Sequence, residues 1–302
     1  MNRRFYKIIF FALFAAAVCS GIACRVETTQ PVNEVSYREV TDDIGRSVRL
    51  PVKVKRAVSL APNLTENIFA VGAGDRLVGV TTYCDYPREA LGIDKVGDTQ
   101  SPNAERILAL RPQIVFVSTA SQLEAFSKTL EGQNIAVFVT NPTSLEGVMT
   151  NLKQFGEIFE TSDTADLLIA NLKRRAAASR SLATSQPPVR VFVQISNEPL
   201  YTTGKDSFVT EIVNLAGGDL VTKDVATAYP VLSKETALAL APEAIILSDS
   251  ADNREPSEAF KNSPAVKNGK IIRINADILS RPGPRLVDAL EEIARKLNQV
   301  PN

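Results

Sequence analysis

Apolar strands and amphipathic helices alternate along most of the chain. Continuous apolar runs at residues 114–117 and 244–247 predict strands that are covered on both faces, and the mostly apolar stretch 57–61 predicts another buried strand. Stretches between such runs carry apolar residues at helical spacing, as at 207–215 and 286–299. Strands that alternate with helices form mostly parallel sheets with helices on both faces. The pattern therefore predicts an α/β fold.

One helix–strand pattern occurs twice, at residues 103–118 and 233–248. Each copy begins with a residue type that caps helices, continues with a glutamate in the first helical turn, and reaches a proline before an apolar strand. The matching positions are Asn103 and Ser233, Glu105 and Glu235, residues 108–110 and 238–240, and Pro112 and Pro242. Two copies half a chain apart predict two similar lobes.

A long helical region separates the two copies. Residues 145–159 have an amphipathic pattern, and a second helix is predicted from Ser162 or Asp163 to about residue 183. Its apolar stripe is predicted at Leu167, Leu168, Leu172 and Leu182. Since no strand is predicted between residues 140 and 189, this helix is the expected connection. We predict an N-terminal α/β lobe at 37–160, an interlobe helix at 161–187 and a C-terminal α/β lobe at 188–302.

The first residues have the features of a secretory signal. Three basic residues precede an apolar segment at 8–18, which is shorter than the roughly 20 residues that a membrane span needs. The segment ends in small residues before Cys24, in a pattern that resembles a bacterial lipoprotein signal. We expect a signal peptide at 1–23, lipid on Cys24 and a polar tether at 24–36. Ordinary secretion with cleavage near Ala23 is the alternative, and either route places the mature protein outside the cytoplasm.

Composition argues against several kinds of protein. The 302 residues carry 34 basic and 34 acidic side chains, and this balanced charge gives no reason to expect a nucleic-acid partner. Histidine is absent, which removes the most common general base and the most common metal ligand. The three cysteines have neither the spacing of a zinc site nor that of a disulfide framework. We therefore expect no metal site and no resident cofactor.

Loops at the carboxyl ends of the strands are the expected ligand site, because open α/β sheets bind ligands there. Tyrosines suit a large ligand of mixed polarity, since each offers a flat apolar ring with a polar end. Alternatively, each tyrosine packs on its own lobe. Arg281 lies in a stiff segment rich in proline, so its guanidinium either meets a ligand oxygen or is solvated at a helix start. The candidate ligand-binding residues are Tyr83, Tyr86, Thr99, Ser118, Tyr201, Tyr229 and Arg281.

Glu105 and Glu235 allow two interpretations. An acid in the first turn stabilises its helix by about 0.3–1 kcal/mol, which requires no partner. Two equivalent carboxylates, one in each lobe, also suit two basic sites on a symmetric partner. The second interpretation makes both of them docking residues.

Several motifs occur in the order that is typical of one family. They are Tyr83-Cys-Asp-Tyr-Pro87, the repeat with Glu105, the long helix, Thr203-Gly204-Lys205, the repeat with Glu235, and Ser280-Arg-Pro-Gly-Pro-Arg285. With these motifs, the chain after the tether resembles the helical-backbone class (class III) of periplasmic binding proteins of ABC importers. The first and last motifs are most similar to the branch that binds cobalamin.

The resemblance implies two α/β lobes joined by a single long rigid helix, with the ligand in the cleft between them. It also implies that the two glutamates meet arginines on the two halves of a permease dimer. Tyr83, Tyr201 and Tyr229 match aromatic positions that hold the corrin, whereas Thr99 and Ser118 stand where tryptophans occur in the best-known cobalamin binder.

We therefore expect a monomeric, extracytoplasmic lipoprotein that captures a corrinoid and delivers it to an ABC permease and its ATPase without catalysing a reaction. A ferric siderophore or haem is the alternative ligand. A secreted two-lobed α/β enzyme is a further alternative, although the chain has neither a glycine-rich phosphate loop nor a base–nucleophile pair. A structural or sensory lipoprotein without a small ligand is the remaining one.

Overall fold

The computed structural model of the chain describes residues 36–121 and 124–299. The predicted signal peptide, Cys24 and the tether up to residue 35 lie outside the described residues. The chain from Tyr37 onward forms one structural unit. In the part that the structure describes, no helix has both the length and the apolar character needed to cross a membrane.

The N-terminal lobe contains an antiparallel hairpin and a four-stranded parallel sheet. Its strands are β1 (Tyr37–Thr41), β2 (Ser47–Pro51), β3 (Ala57–Ser59), β4 (Leu77–Val80), β5 (Ile114–Ser118) and β6 (Ala136–Thr140). The hairpin of β1 and β2 turns at Gly45, which has a φ of 80°, a conformation that glycine adopts without strain. In the parallel sheet the strand order is β4-β3-β5-β6. The central strands β3 and β5 are wholly buried, which explains their continuous apolar sequences.

The C-terminal lobe repeats the same sheet. Its strands are β7 (Val189–Gln194), β8 (Gly218–Leu220), β9 (Ala244–Asp249) and β10 (Ile271–Asn275). The order β8-β7-β9-β10, again all parallel, equals that of the first sheet when the strands are matched in chain order. The sequence pattern did not predict β8, because three residues with a glycine and an aspartate carry too little apolar signal. The prediction of two similar α/β lobes is confirmed.

Helices cover both sheets and connect them. In the N-terminal lobe they are α1 (Pro62–Ala70), α2 (Ala104–Ala109), α3 (Glu124–Glu131) and α4 (Leu145–Phe159). The connecting helix is α5 (Ser162–Ala183). In the C-terminal lobe they are α6 (Phe208–Leu215), α7 (Lys234–Leu240), α8 (Pro264–Lys267), α9 (Ala276–Ser280) and α10 (Leu286–Asn298).

The connecting helix α5 is unbroken over 22 residues, which gives it a length of about 33 Å. It packs on α4 of the first lobe and on α10 of the second. The predicted apolar stripe is partly wrong, since Leu167 is 75% exposed and Leu182 is 46% exposed. The buried line instead includes Ala165 and Leu172, because Leu167 lies about 140° around the helix from Leu172.

Phenylalanines form the centre of the N-terminal core. Phe116 on β5 is fully buried and packs against Phe138, Phe155 and Phe159. Its ring meets that of Phe155 edge-on, with 4.8 Å between centroids, a favoured geometry for aromatic pairs. This cluster joins the sheet to α4 and so fixes the loops that leave the carboxyl ends of the strands.

Candidate functional site

A cavity of about 660 Å³ lies between the two lobes. It opens at the carboxyl ends of β3 and β5, where the chain leaves two adjacent strands in opposite directions, and at the end of β7 in the other lobe. Ligands of open α/β sheets bind at such points. The N-terminal lobe contributes Asn63, Thr99, Gln100, Ser118, Thr119 and Asn141 to its lining, and the C-terminal lobe contributes Ile195, Asp206, Phe208, Val209, Tyr229 and Arg281.

One helix from each lobe begins at this cavity. Ala61 and Asn63 at the start of α1, and Phe208 and Val209 at the start of α6, all belong to its lining. The N-cap residue of α1 is Ala61, which has no side chain that caps the first-turn N–H groups. The positive end of α1 therefore faces the cavity, a position that favours hydrogen-bond acceptors on a ligand.

Asn63 adds a second donor at the same place. Its side chain is 6% exposed, and its amide Nδ2 has no hydrogen-bond partner among the described residues. A buried amide without a partner is unfavourable by about 1–3 kcal/mol. A ligand with carbonyl or carboxamide oxygens would satisfy it.

The structure brings four of the seven predicted ligand residues to the cavity and leaves three outside its lining. Thr99, Ser118, Tyr229 and Arg281 line it. Tyr83 is 59% exposed, Tyr86 stacks its ring on the guanidinium of Arg285 at 4.0 Å, and the main chain of Tyr201 bridges to that of Val231. A ligand role for each of the seven residues stays a prediction.

Tyr229 is the aromatic residue of the predicted set that lines the cavity. Burial raises the pKa of its hydroxyl, and a hydrogen bond to Ser207 only partly opposes this effect. The residue is still 42% exposed. It therefore offers a neutral hydroxyl and a free ring surface to a ligand in the cavity.

Arg281 forms ion pairs with carboxylates of both lobes. Its Nη1 lies 3.0 Å from Glu66 Oε1 and 2.8 Å from Asp85 Oδ1, and its Nη2 lies 2.7 Å from Asp277 Oδ1. Burial lowers the pKa of Arg281, but the hydrogen bonds that its guanidinium donates to Asp85 and Glu66 outweigh burial and raise that pKa overall. With three ionic partners, its guanidinium has little capacity left for an anionic ligand.

Glu66 on α1 is the centre of an interlobe ion cluster that the sequence did not reveal. Its carboxylate is 2% exposed and accepts hydrogen bonds from Arg281 and from Arg285, the latter at 2.8 and 2.6 Å. We call Glu66, Asp85, Asp277, Arg281 and Arg285 the interlobe ion cluster. The available signal was a charged residue in a short predicted helix, and this helix buries Asn63, Thr65 and Asn67 as well as Glu66. The cluster therefore connects α1 of the N-terminal lobe to the loop at 281–285, which precedes α10 of the C-terminal lobe.

Glu105 and Glu235 lie in the exposed first turns of α2 and α7, outside the cavity lining. In both helices the N-cap side chain accepts from a first-turn N–H, at 2.9 Å for Asn103 and 3.2 Å for Ser233. The backbone N–H of Glu235 and the side chain of Ser233 lower the pKa of the Glu235 carboxyl. Glu235 is therefore ionised at neutral pH.

The carboxyl ends of α2 and α7 are stabilised by equivalent arginine side chains. Arg56 donates from Nη2 to the carbonyl oxygen of Leu110 at 2.6 Å, and Arg190 donates to that of Leu240 at 2.9 Å. Arg111 and Ala241, the next residues, have φ values of 47° and 43°. The sequence repeat thus reflects two units with the same local structure, each of which presents its glutamate to solvent.

The sequence profile described as Periplasmic binding protein matches residues 58–278. The chain belongs to this periplasmic binding protein family. The Vitamin B12-binding protein of Vibrio cholerae serotype O1 (strain M66-2) is 30% identical over 249 residues, which cover 82% of this chain and 90% of that protein. The uncharacterized ABC transporter substrate-binding lipoprotein YvrC of Bacillus subtilis is 29% identical over 303 residues, with 96% of each chain covered.

Solved structures agree with this assignment. The crystal structure of the periplasmic vitamin B12 binding protein BtuF of Vibrio cholerae is similar with a TM-score of 0.75 and 28% identity, covering 83% of this chain and all of that one. The resemblance to helical-backbone binding proteins is thereby confirmed. This periplasmic binding protein is a substrate-binding component of an ABC transporter and not an enzyme.

Proposed function

We propose that this periplasmic binding protein acts as a monomer that captures a cobalamin-type corrinoid in the interlobe cavity and delivers it to an ABC permease dimer with its ATPase. The observation that carries the proposal is the cavity itself, at the carboxyl ends of both sheets and large enough for part of a bulky ligand. The two proteins from Vibrio cholerae described above, which are named as vitamin B12-binding proteins, support the choice of ligand.

The chemistry of the lining favours a neutral ligand with many amides. Side-chain amides and hydroxyls of Asn63, Gln100, Ser118, Thr119 and Asn141 dominate the N-terminal side. A corrinoid carries carboxamide arms around its ring, and these both donate and accept hydrogen bonds. Such arms can form hydrogen bonds with the polar side chains of the lining, and these bonds require no net charge on the ligand or on the lining.

An anionic ferric siderophore fits this lining less well. Among the described lining residues Arg281 is the one cationic side chain, and three carboxylates already surround it. A ligand that carries negative charge would have to compete with Glu66, Asp85 and Asp277. Ferric siderophores and haem therefore serve as the competing ligands in the test.

Ligand binding is tested by calorimetry and thermal unfolding with aquocobalamin, a ferric hydroxamate and haem. We expect aquocobalamin to bind most tightly and to raise the thermal midpoint; at 100 times its Kd a ligand stabilises by about 2.7 kcal/mol. Tyr229→Ala weakens binding, whereas Tyr37→Ala, an exposed tyrosine of β1, does not. Stronger binding of the hydroxamate or haem would overturn the corrinoid assignment, and no binding of any would overturn the capture role.

Docking is tested by charge reversal at the two repeated helices. Changing Glu105 and Glu235 together to Arg abolishes uptake and leaves ligand affinity unchanged, because both residues are exposed and neither belongs to the cavity lining. Glu124→Arg is the matched control, since Glu124 is also an exposed first-turn acid but has no counterpart in the other lobe. Normal uptake by the double variant would exclude the glutamates from docking.

Membrane attachment is proposed to occur through lipid on Cys24. The pattern of the first residues and the lipoprotein relative from Bacillus subtilis support it. Cys24→Ala is expected to release the protein from membranes, because acyl chains contribute about 0.8 kcal/mol per buried methylene. Retention of the variant in the membrane fraction would exclude Cys24 as the anchor, and a soluble wild-type protein would favour ordinary secretion.

A further inference from the structure

Two exposed leucines occupy equivalent positions in the two lobes. Leu108 on α2 is 36% exposed and Leu238 on α7 is 55% exposed. Each follows the glutamate of its helix by three residues, and residues three apart lie on the same face of a helix. Each lobe therefore presents a carboxylate and a leucine side by side to solvent. We call these pairs the docking faces: Glu105 with Leu108, and Glu235 with Leu238.

The packing of α2 and α7 does not account for these leucines. Each helix has a single buried residue, Ile107 in α2 and Ala237 in α7, and each of these belongs to the apolar core of its lobe, whereas neither leucine does. The leucine that follows each buried residue points away from it by about 100° around the helix. An exposed leucine at one such position is ordinary, but the same exposure at both matched positions indicates a shared use.

The two docking faces have the same residue types, and equivalent hydrogen bonds stabilise the helices that carry them. The hydrogen bonds described above hold the backbone of both helices at both ends, so each glutamate and leucine starts from a fixed position on its lobe. A single partner that binds both faces needs two equal sites, which a dimer with twofold symmetry provides. The proposed permease is such a partner, and the inference rests on that proposed function.

We propose that Leu108 and Leu238 are apolar anchors that the two halves of the permease dimer bury when the protein docks. The neighbouring carboxylates attract the basic sites of the permease and so act on the association rate. The leucines remove apolar surface from water only once the complex has formed, so they act on the dissociation rate. The two members of each docking face thus have separable kinetic effects.

The test uses the full chain and the ABC permease with its ATPase from the native host, reconstituted in nanodiscs and studied by surface-based kinetics. Leu108→Ser and Leu238→Ser are each expected to raise the dissociation rate about tenfold with an unchanged association rate. Leu167→Ser is the matched control, since Leu167 is 75% exposed on α5 and belongs to no repeated unit. Thermal midpoints and calorimetry with aquocobalamin show whether each variant is folded and binds as the wild type does.

The outcomes separate this inference from the proposed function. If the leucine variants dissociate like Leu167→Ser while the Glu105 and Glu235 charge reversal prevents binding, the anchors are refuted and docking through the carboxylates stands. If the charge reversal binds normally, the proposed docking fails and the inference fails with it. If the leucine variants lose affinity for aquocobalamin, the leucines serve the cavity and the inference is also refuted. Faster dissociation confined to Leu108→Ser and Leu238→Ser supports it.

Discussion

Replacing Glu66 by glutamine should destabilise the protein strongly, because it removes the central charge of the interlobe ion cluster and little volume. The carboxylate is 2% exposed, and its partners Arg281 and Arg285 are 13% and 18% exposed. Breaking a buried ion pair on one side is unfavourable by about 3–5 kcal/mol, since it leaves the other charge uncompensated. Arg281 keeps its ion pairs with Asp85 and Asp277, whereas Arg285 keeps the ring of Tyr86 and an electrostatic attraction to Asp85. We therefore expect a loss near the lower limit, about 3 kcal/mol.

A loss of this size is easily measured. In a domain of this length, 1 kcal/mol corresponds to about 2–4 °C in the thermal midpoint, so Glu66→Gln should lower it by about 6–12 °C. Equilibrium unfolding in urea, followed by circular dichroism, gives the free energy directly. The matched control is Asp85→Asn, which removes a carboxylate from the same cluster at a residue that is 54% exposed. This control should change the free energy of unfolding by less than about 1 kcal/mol.

A double-mutant cycle identifies the cause of the loss. If the unpaired guanidinium of Arg285 causes much of it, Arg285→Met should be less harmful in the Glu66→Gln protein than in the wild type. A coupling free energy of about 1 kcal/mol or more is expected for groups in direct contact. The reasoning is refuted if Glu66→Gln destabilises no more than Asp85→Asn, or if the two substitutions are additive.

Three further predictions concern the core, a close backbone approach and pH. Phe116→Ala should lower the free energy of unfolding by about 3–5 kcal/mol in urea, and a loss under about 1 kcal/mol would contradict the placement of Phe116 in the core. Gly204→Ala should lower the thermal midpoint and weaken aquocobalamin binding, because its Cβ would overlap the carbonyl oxygen of Thr227, two residues before Tyr229, and would lie 2.7 Å from that of Val225. Gly92→Ala, with open space around it, should change neither. Burial opposes ionisation of Asp85, but Arg281 outweighs it and lowers the pKa below the ordinary 3.8, so this stabilisation is present at neutral pH and is lost as the pH falls through the lowered value. The stability difference between wild type and Asp85→Asn should therefore shrink as the pH falls below 3.8, and a difference that stays the same from neutral to acid pH would refute the assignment.

The sequence by itself determined the elements and their repetition. Apolar runs such as those of β5 and β9 define buried strands, and the repeated cap, acid and proline around Glu105 and Glu235 define equivalent helices, since these signals depend on residues close together in the chain. The connecting helix α5 was predicted for the same reason. The pattern did not predict correctly which face of this helix is exposed. Leu167 and Leu182 face solvent, because α4 and α10 cover a different side of the helix.

Only the tertiary structure decided which side chains meet across the lobes. Glu66 and Arg285 are 219 residues apart, and no local pattern indicates that they form an ion pair. The same holds for the cavity, which takes Tyr229 into its lining and leaves Tyr83 outside, although both lie on loops. Periodicity along the chain specifies the faces of helices and strands. Contacts between the lobes depend on how the two folded sheets are positioned relative to α5. Residues throughout the chain determine that positioning.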